Sequence, residues 1–171
     1  INDHRGNPGI AIDKEGRFII SRLGVSPGLY SHYSTNYGLT WSSFKTVTTE
    51  DLYKASIASD GSSSSNYYGR TYAVWTASAS PMPVTFSYTD NGGQSWSTIR
   101  QINSPSADRI GKGGDIVLMN NGNVYVTWAR AIKTSPFTED YVGFGSSSDG
   151  GATWSVRENI FDMNGVTGQI T

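Results

Sequence analysis

The feature that most constrains the fold is a short segment, residues 147–154, that ends in a tryptophan and occurs three times. Counted back from Trp154, it has Thr one residue earlier, Gly three earlier, Asp five earlier and Ser seven earlier. Residues 34–41 and 89–96 fit the same template, with Asn in place of Asp. One copy would be an ordinary turn, but three copies at a constant offset indicate a repeat. We call these segments the Trp boxes, and their matched positions are Ser34, Asn36, Gly38 and Trp41, then Thr89, Asn91, Gly93 and Trp96, then Ser147, Asp149, Gly151 and Trp154.

The residue types of a Trp box suit a tight turn. An Asp or Asn oxygen accepts backbone N–H groups inside such a turn, and Gly adopts the positive φ that the turn needs. The hydroxyl before the tryptophan adds a local hydrogen bond, and we expect the indole to lie over its own hairpin. The boxes therefore predict structural turns, and we favour this interpretation over a chemical role for Asp149.

A second repeat is spaced more regularly. Gly16, Gly69 and Gly122 each precede a strand-like segment and are 53 residues apart, while the tryptophans of the boxes are 55 and 58 residues apart. A period in this range is typical of propeller blades and longer than that of most solenoids.

Each period divides into four short strands, because apolar residues alternate between turns. The pattern predicts four-stranded blades at about 8–48, 54–102 and 113–160, and the entry to a further blade at 165–171. The third and fourth strands are expected at 84–89 and 97–102 in the second blade, and at 141–147 and 156–160 in the third. Residues 60–68 depart from the pattern with four consecutive serines, and we expect them to form an exposed, mobile loop.

The repeated Ser-x-Asp-x-Gly-x-Thr-Trp segment resembles the Asp-box, or bacterial neuraminidase, repeat of the sialidase-like β-propellers. The box at 147–154 matches in full, and the other two have Asn for Asp. The resemblance implies an all-β, sialidase-like β-propeller, with each box on the turn between the third and fourth strands of a blade. Three blades are about half of the six-bladed ring typical of that family, and propellers need about 4–8 blades to close. The remaining blades would belong to a longer chain or to a second copy that completes the ring by symmetry.

Composition excludes several other classes of protein. Aromatic residues make up 12% and charged residues 16% of the chain, and Gly is frequent, as in turn-rich all-β structure. The net charge of −1 does not favour nucleic acid as a partner, and no apolar run is long enough for a membrane span. The chain has no Cys, which is compatible with a secreted bacterial protein and with a cytosolic one. It begins at Ile1 without a leader, so we expect a removed signal peptide or a start internal to a longer protein. Together with the resemblance, this favours a secreted or cell-surface protein of bacterial type.

The resemblance also implies where a ligand would bind. In sialidase-like proteins the site lies around the central channel, at the rim opposite the Asp-boxes. Sialidases bind the sugar carboxylate with three arginines, and they use an Asp as acid/base and a Tyr nucleophile activated by a Glu. The candidates at that rim are Asp3 and Asp108 as catalytic residues, and His4, Arg5, Lys54, Arg109 and Arg130 as ligand-binding residues. The same rim segments contain further charged residues to which we assign no role: Asp51, Lys112, Lys133, Glu139 and Asp140.

The sequence departs from the sialidase pattern at the motif that supplies the first arginine. Sialidases have Arg-Ile-Pro in an early strand, and the nearest segment here, residues 109–111, is Arg-Ile-Gly. We assign no Tyr–Glu nucleophile pair. No metal or cofactor is expected, because His4 and His32 are the only histidines and no phosphate-binding loop is present. The alternative for every charged candidate is a solvated side chain or a surface ion pair.

Three functions remain open from the sequence. The first is part of a secreted, sialidase-like glycoside hydrolase that acts on acidic glycans or glycoconjugates. The second is a non-catalytic propeller that binds carbohydrate or protein, and the third is a scaffold segment of a larger propeller. Because fold does not determine function, the first rests on analogy.

Overall fold

The computed structural model describes residues 4–167, and its side chains from residue 6 onward. This part of the chain contains twelve β-strands and no helix, and therefore no helix that could cross a membrane. The strands are β1 His4–Ile12, β2 Phe18–Gly24, β3 Leu29–Ser34, β4 Lys45–Thr48, β5 Leu52–Ser59, β6 Thr71–Ala77, β7 Val84–Thr89, β8 Arg100–Gln101, β9 Arg109–Leu118, β10 Val124–Ile132, β11 Thr138–Ser147 and β12 Ser155–Thr167.

The strands form three four-stranded antiparallel sheets, each a meander in chain order: β1–β4, β5–β8 and β9–β12. We call these sheets blades 1, 2 and 3. The innermost strands lie side by side, β1 against β5 and β5 against β9, so the blades fan about one axis. The predicted all-β propeller architecture with three four-stranded blades is confirmed.

The fourth strand of blade 2 is shorter than the predicted strand at 97–102. Only Arg100–Gln101 pairs with β7. Beside this short ladder, the Ser97 hydroxyl accepts the Tyr88 N–H (3.0 Å) and the Asn103 amide oxygen accepts a backbone N–H of β7 (2.7 Å). At each end one backbone bond remains, from Ser97 N–H to the Tyr88 carbonyl and from Ile102 N–H to the Val84 carbonyl (both 2.8 Å). A side-chain oxygen replaces only the reciprocal bond, which is why the strand is short.

The fourth strand of blade 3 is longer than predicted. β12 continues to Thr167, pairing Thr167 with Thr138 and Val166 with Glu139 of β11. Residues 165–167, where we expected a further blade to begin, therefore continue blade 3, because the long β11 offers them a ladder. Residues 168–171 lie outside the described part of the chain.

The Trp boxes are hydrogen-bonded turns of one design. The Ser147 hydroxyl donates to Asp149 (2.8 Å) and accepts the Gly151 N–H (2.9 Å). Asp149 accepts both the hydroxyl and the N–H of Thr153, and these bonds, followed by the one from Ser147, lower its pKa to about 2. In the other boxes, the amides of Asn36 and Asn91 accept the equivalent N–H and donate to the hydroxyls of Thr40 and Ser95.

The tryptophan of a box packs between its own blade and the preceding one. The Trp154 ring meets Phe86 of blade 2 edge-on, with centroids 5.2 Å apart. Trp96 Nε1 donates to the Ser31 hydroxyl of blade 1 (2.8 Å). Gly151 makes room for the contact between Trp154 and Phe86, because a Cβ on residue 151 would lie 2.6 Å from the Phe86 ring. Trp96 and Trp154 pack on their own blades as expected, and the third strand of the preceding blade supplies a second contact surface that the sequence did not predict.

An arginine of the preceding blade completes this contact. Arg17 Nη1 donates to the Asn91 carbonyl (2.9 Å), and Arg70 Nη1 donates to the Gly150 carbonyl (3.0 Å). Arg70 also stacks on Tyr88, 3.8 Å from the ring centroid. We call the contact of a box with the third strand and first turn of the preceding blade a box joint, and blades 1 and 2 and blades 2 and 3 are each joined by one.

The serine-rich loop at 60–68 is ordered by its own hydrogen bonds. Asp60 is 1% and Ser65 8% exposed, and the Ser65 hydroxyl donates to the Asp60 carboxylate (2.5 Å). The hydroxyls of Ser62 and Ser64 donate to the Asn120 carbonyl of blade 3 (2.5 and 2.9 Å). The prediction that this loop is exposed is wrong at its buried positions, because the serines and Asp60 satisfy one another.

Candidate functional site

Antiparallel strands put successive loops at opposite ends of a blade. The β1–β2, β5–β6 and β9–β10 turns lie at the same end as the Trp boxes, which we call the box rim. The β2–β3, β6–β7 and β10–β11 loops and the connections between blades lie at the other end, which we call the opposite rim. The sequence places the candidate site there, and charged side chains cluster at its blade 3 part.

Arg109, the first residue of β9, lies between two carboxylates. Its Nε donates to Asp140 (2.9 Å) and its Nη1 to Asp108 (2.5 Å). The side chain of Asp140 is 16% exposed and that of Asp108 70%. Asp140 Oδ1 is buried and has no hydrogen-bond partner within the described residues. Two carboxylates therefore share one guanidinium but differ strongly in their contact with water.

A β-bulge brings Asp140 to this place. In the β10–β11 ladder Arg130 pairs with Tyr141 and Ala131 pairs with Glu139, so Asp140 is the residue that the register skips. A bulge redirects the side chain of the extra residue. Asp140 consequently reaches Arg109, which pairs with the last residue of β10.

A second ion pair lies deeper along the innermost strands. Lys112 Nζ donates to Glu139 Oε1 at 3.0 Å, with both side chains about four-fifths buried. Lys54 comes from blade 2, at a bulge with φ of 26°, and its side chain lies against Gly113. Lys54 and Lys112 line one cavity of about 290 Å³. Cationic side chains of two blades therefore line the same cavity.

The electrostatics around Asp108 keep that carboxyl ionised. The Ser106 hydroxyl donates to it (2.8 Å), its own backbone N–H contributes, and the charges of Arg109 and Arg130 lie nearby, so its pKa is below the ordinary value. Arg130 itself lies over the Tyr141 ring, 5.4 Å from the centroid. The site thus offers anionic acceptors and cationic donors side by side. Among the described side chains, those of residues 6–167, no three of His, Asp or Glu are close enough together to hold a metal ion.

The structure brings some of the predicted site residues together. Asp108, Arg109 and Arg130 lie in one cluster at blade 3, and Lys54 lies at the neighbouring cavity. Asp3 is outside the described residues, as are the side chains of His4 and Arg5. The contribution of blade 1 to the site therefore stays a prediction.

Sequence reasoning placed Glu139 and Asp140 at this rim but gave neither a role, and it did not treat Tyr141 as a site residue. All three belong to β11, whose predicted start was Tyr141. The acidic pair directly before that strand is the signal that located Asp140. A charged pair at the opposite-rim end of a strand is a site candidate of the same kind as Asp108-Arg109.

Comparison with known proteins bears on the fold. No protein-family model and no curated protein sequence matches the chain. Among solved structures, it is similar to a protein of unknown function from Dyadobacter fermentans, with a TM-score of 0.67 and 16% identity over 91% of this chain and 50% of that one. It is also similar to the GH93 α-L-arabinofuranosidase of Fusarium graminearum in complex with arabinobiose (TM-score 0.61, 13% identity, 92% of this chain and 50% of that one). A third similar structure is a leech intramolecular trans-sialidase complexed with 2,7-anhydro-Neu5Ac (TM-score 0.57, 20% identity, 78% of this chain and 19% of that one).

These similarities define the class of fold. The chain spans half or less of the length of each of the three proteins. At identities of 20% or lower, what is shared is the propeller of the kind found in sialidases and arabinofuranosidases.

Proposed function

We propose that the chain is part of a sialidase-like glycoside hydrolase that holds an acidic glycan at the blade 3 part of the opposite rim. The observation that carries this proposal is Arg109 bound by Asp108 and Asp140 and flanked by Arg130, at the start of an innermost strand. The similar solved structures named as a trans-sialidase and an arabinofuranosidase support it. We further propose that the protein acts outside the cell or at its surface, where polymeric glycans are accessible.

The carboxylates and guanidinium groups around Arg109 can both hydrogen-bond to the hydroxyls of a sugar. Each sugar hydroxyl both donates and accepts, and the cluster alternates carboxylate acceptors with guanidinium donors. Arg130, which lies over the Tyr141 ring and near Asp108, is the candidate for binding the carboxylate of an acidic sugar. An arginine offers that carboxylate two parallel N–H donors.

Hydrolysis of a glycosidic bond needs a group that gives a proton to the leaving oxygen and one that acts at the anomeric centre or on water. Asp140 is the carboxyl sheltered from water and is our candidate for the proton transfer. Asp108 is exposed and ionised, and we assign it to the orientation of water or of the substrate.

A non-catalytic, glycan-binding or protein-binding propeller is the second candidate. It is favoured by the ion pairs of Arg109 and Lys112, since a rim whose cations are already paired can bind hydroxyls without performing chemistry. This candidate predicts binding at the same cluster and no turnover.

The test is turnover of two fluorogenic substrates, a sialoside and an α-L-arabinofuranoside, together with calorimetric binding of the free sugars. We expect turnover of the sialoside, lost in Asp140→Asn and reduced at least about 100-fold in Arg130→Ala. Lys14→Ala, an exposed cation on the box rim, is the matched control and should keep full activity. Binding without turnover would support the second candidate. Equal activity in all variants would place the site elsewhere.

A further inference from the structure

A cleft of about 790 Å³ lies between blades 1 and 2 at the opposite rim. One wall is the connection from β4 to β5, with Glu50 and Asp51, and the other is the β6–β7 loop. Thr85 of β7 and Gln101 of β8 also line it. We call this cavity the interblade cleft. The described residues that contact Arg109 do not line it.

The interblade cleft is open because blade 2 differs from blade 3 at one residue pair. In blade 3, Trp128 pairs with Gly143, and its indole lies over that glycine, where a Cβ would overlap the ring. In blade 2 the equivalent pair is Trp75 and Thr85. The Thr85 side chain lines the cleft and leaves no place for an indole there, so Trp75 packs in the core with Leu52. The space that an indole fills between blades 2 and 3 is therefore open between blades 1 and 2.

Hydrogen bonds hold the walls of the interblade cleft in place. The Ser78 N–H donates to the Asp51 carbonyl (2.9 Å), which ties the β6–β7 loop to the connection from blade 1. Lys133 Nζ of blade 3 donates to the Ser80 hydroxyl of the same loop (2.9 Å). The loop is therefore fixed from both neighbouring blades, and the cleft is formed before a ligand binds. A preformed site loses less conformational entropy on binding than a flexible one.

The lining of the interblade cleft combines an acidic wall with apolar surface. Glu50 is exposed, and its carboxylate and that of Asp51 are the charged groups of the lining, which contains no Lys, Arg or His among the described residues. Pro81, Pro83 and Ile99 supply apolar surface. The described lining also contains no aromatic ring on which the apolar face of a sugar could lie. It therefore favours an occupant that carries a cation close to an apolar group.

We propose that the interblade cleft binds a short segment of another protein in which a lysine or arginine is next to an apolar side chain. The cation binds at the wall of Glu50 and Asp51, because an ammonium or guanidinium forms charge-assisted hydrogen bonds with carboxylates. The apolar side chain packs on the two prolines and Ile99. A volume of about 790 Å³ exceeds that of one side chain and lies in the range of ligand sites. The cleft and the Arg109 cluster share no described residue, so this binding is independent of the proposed glycosidase activity.

The first experiment measures binding of the chain to an array of immobilised pentapeptides. The central residue of each peptide is arginine, lysine or glutamate, and its neighbours are varied among leucine, valine, proline and glycine. We expect binding to peptides with a central arginine or lysine. Binding to those with a central glutamate should be at least about 10-fold weaker, because it places like charges together. Equal binding of the three sets, or binding to none of them, overturns the proposal.

The second experiment locates the binding in solution, by fluorescence anisotropy of the arginine peptide that the array binds best. Glu50→Lys should weaken binding at least about 10-fold, whereas Glu15→Lys, which reverses an exposed carboxylate on the box rim, should leave it unchanged. Ala79→Trp, at an exposed position of the lining, should weaken binding by a similar factor because the indole fills the cleft. All three positions are exposed, so the urea midpoints should stay close to that of the wild type. Equal affinities in all variants, or displacement of the peptide by the neutral sugar arabinotriose, overturn the proposal.

Discussion

The box rim and the opposite rim are built in different ways. On the box rim similar contacts recur from blade to blade: Arg17 and Arg70 each donate to a box carbonyl of the next blade, and the boxes share one hydrogen-bond pattern. On the opposite rim the contacts of Arg109 have no equivalent in blade 2, whose β6–β7 loop at 78–83 contains no charged residue. What recurs in every blade serves the packing of blades, and what occurs once is available for recognition.

We therefore expect substitutions on the box rim to reduce stability and substitutions on the opposite rim to reduce binding. Box-rim side chains are buried against the next blade, and the loss of one opens a joint. Opposite-rim ion pairs are partly solvated, and such pairs contribute about 1 kcal/mol or less. Four variants test this division.

The largest effect is expected for Gly151→Ala. Gly151 has φ of 88°, and a Cβ would lie 2.6 Å from the Phe86 ring. The left-handed conformation costs about 1–2 kcal/mol and overpacking about 1–3 kcal/mol, so we expect the free energy of unfolding to fall by about 3 kcal/mol. Gly16→Ala, at φ of 70° with open space around it, should cost about 1 kcal/mol. Urea denaturation measures both, and equal losses would show that the contact with Phe86 is unimportant.

The next effect is that of Arg70→Ala. This change removes the donor to the Gly150 carbonyl, the stacking on Tyr88 and the ion pair with Asp90. An unsatisfied buried carbonyl costs about 1–3 kcal/mol, so we expect a loss of about 2 kcal/mol in the free energy of unfolding. Arg100→Ala, at an exposed position of blade 2, is the control and should change it by less than about 0.5 kcal/mol. A similar loss of unfolding free energy in both variants would contradict a stabilising role of Arg70 in the box joint.

A pH-dependent effect is expected for Asp149→Asn. The folded-state pKa of Asp149, about 2, lies below the unfolded value of about 3.9. The ionised carboxylate therefore stabilises the folded protein above pH 4, and this contribution is lost as the pH falls towards 2. The wild type should lose more stability between pH 7 and pH 2.5 than the variant, whose box resembles those with Asn36 and Asn91. Parallel pH profiles of the denaturation midpoint would contradict this expectation.

The smallest effect on stability is expected for Lys112→Met on the opposite rim. Lys112 and Glu139 each keep about a fifth of the side chain in contact with water. Water can therefore solvate the Glu139 carboxylate that is left unpaired, and we expect the free energy of unfolding to fall by about 1 kcal/mol. Binding of an acidic sugar, measured by calorimetry, should weaken because a cation beside the axis is lost. A loss of stability as large as that of Gly151→Ala would show that this rim also serves the packing of blades.

The repeat in the sequence predicted most of the fold. The spacing of Trp41, Trp96 and Trp154 located the blades, because turn residues act locally and an indole at a fixed offset marks the same strand each time. The third strand of blade 2 was predicted with the bounds that the structure has, Val84–Thr89. The fourth strands were less predictable, since side chains of Ser97 and Asn103 compete with the ladder there.

The candidate site was predictable only in part. The segment Asp108-Arg109 could be named from its charge and its place between blades. Asp140 could be named as a charged residue of the same rim, but its contact with Arg109 could not be predicted, because it lies 31 residues away and reaches Arg109 through a bulge that no local pattern marks.

The number of blades and the turns that close them could be predicted from the sequence, because they depend on residues close together in the chain. The blade that each indole contacts and the pairing of Asp140 with Arg109 are known only from the three-dimensional structure. These contacts join separate strands or blades, so their partners depend on how the sheets twist and pack.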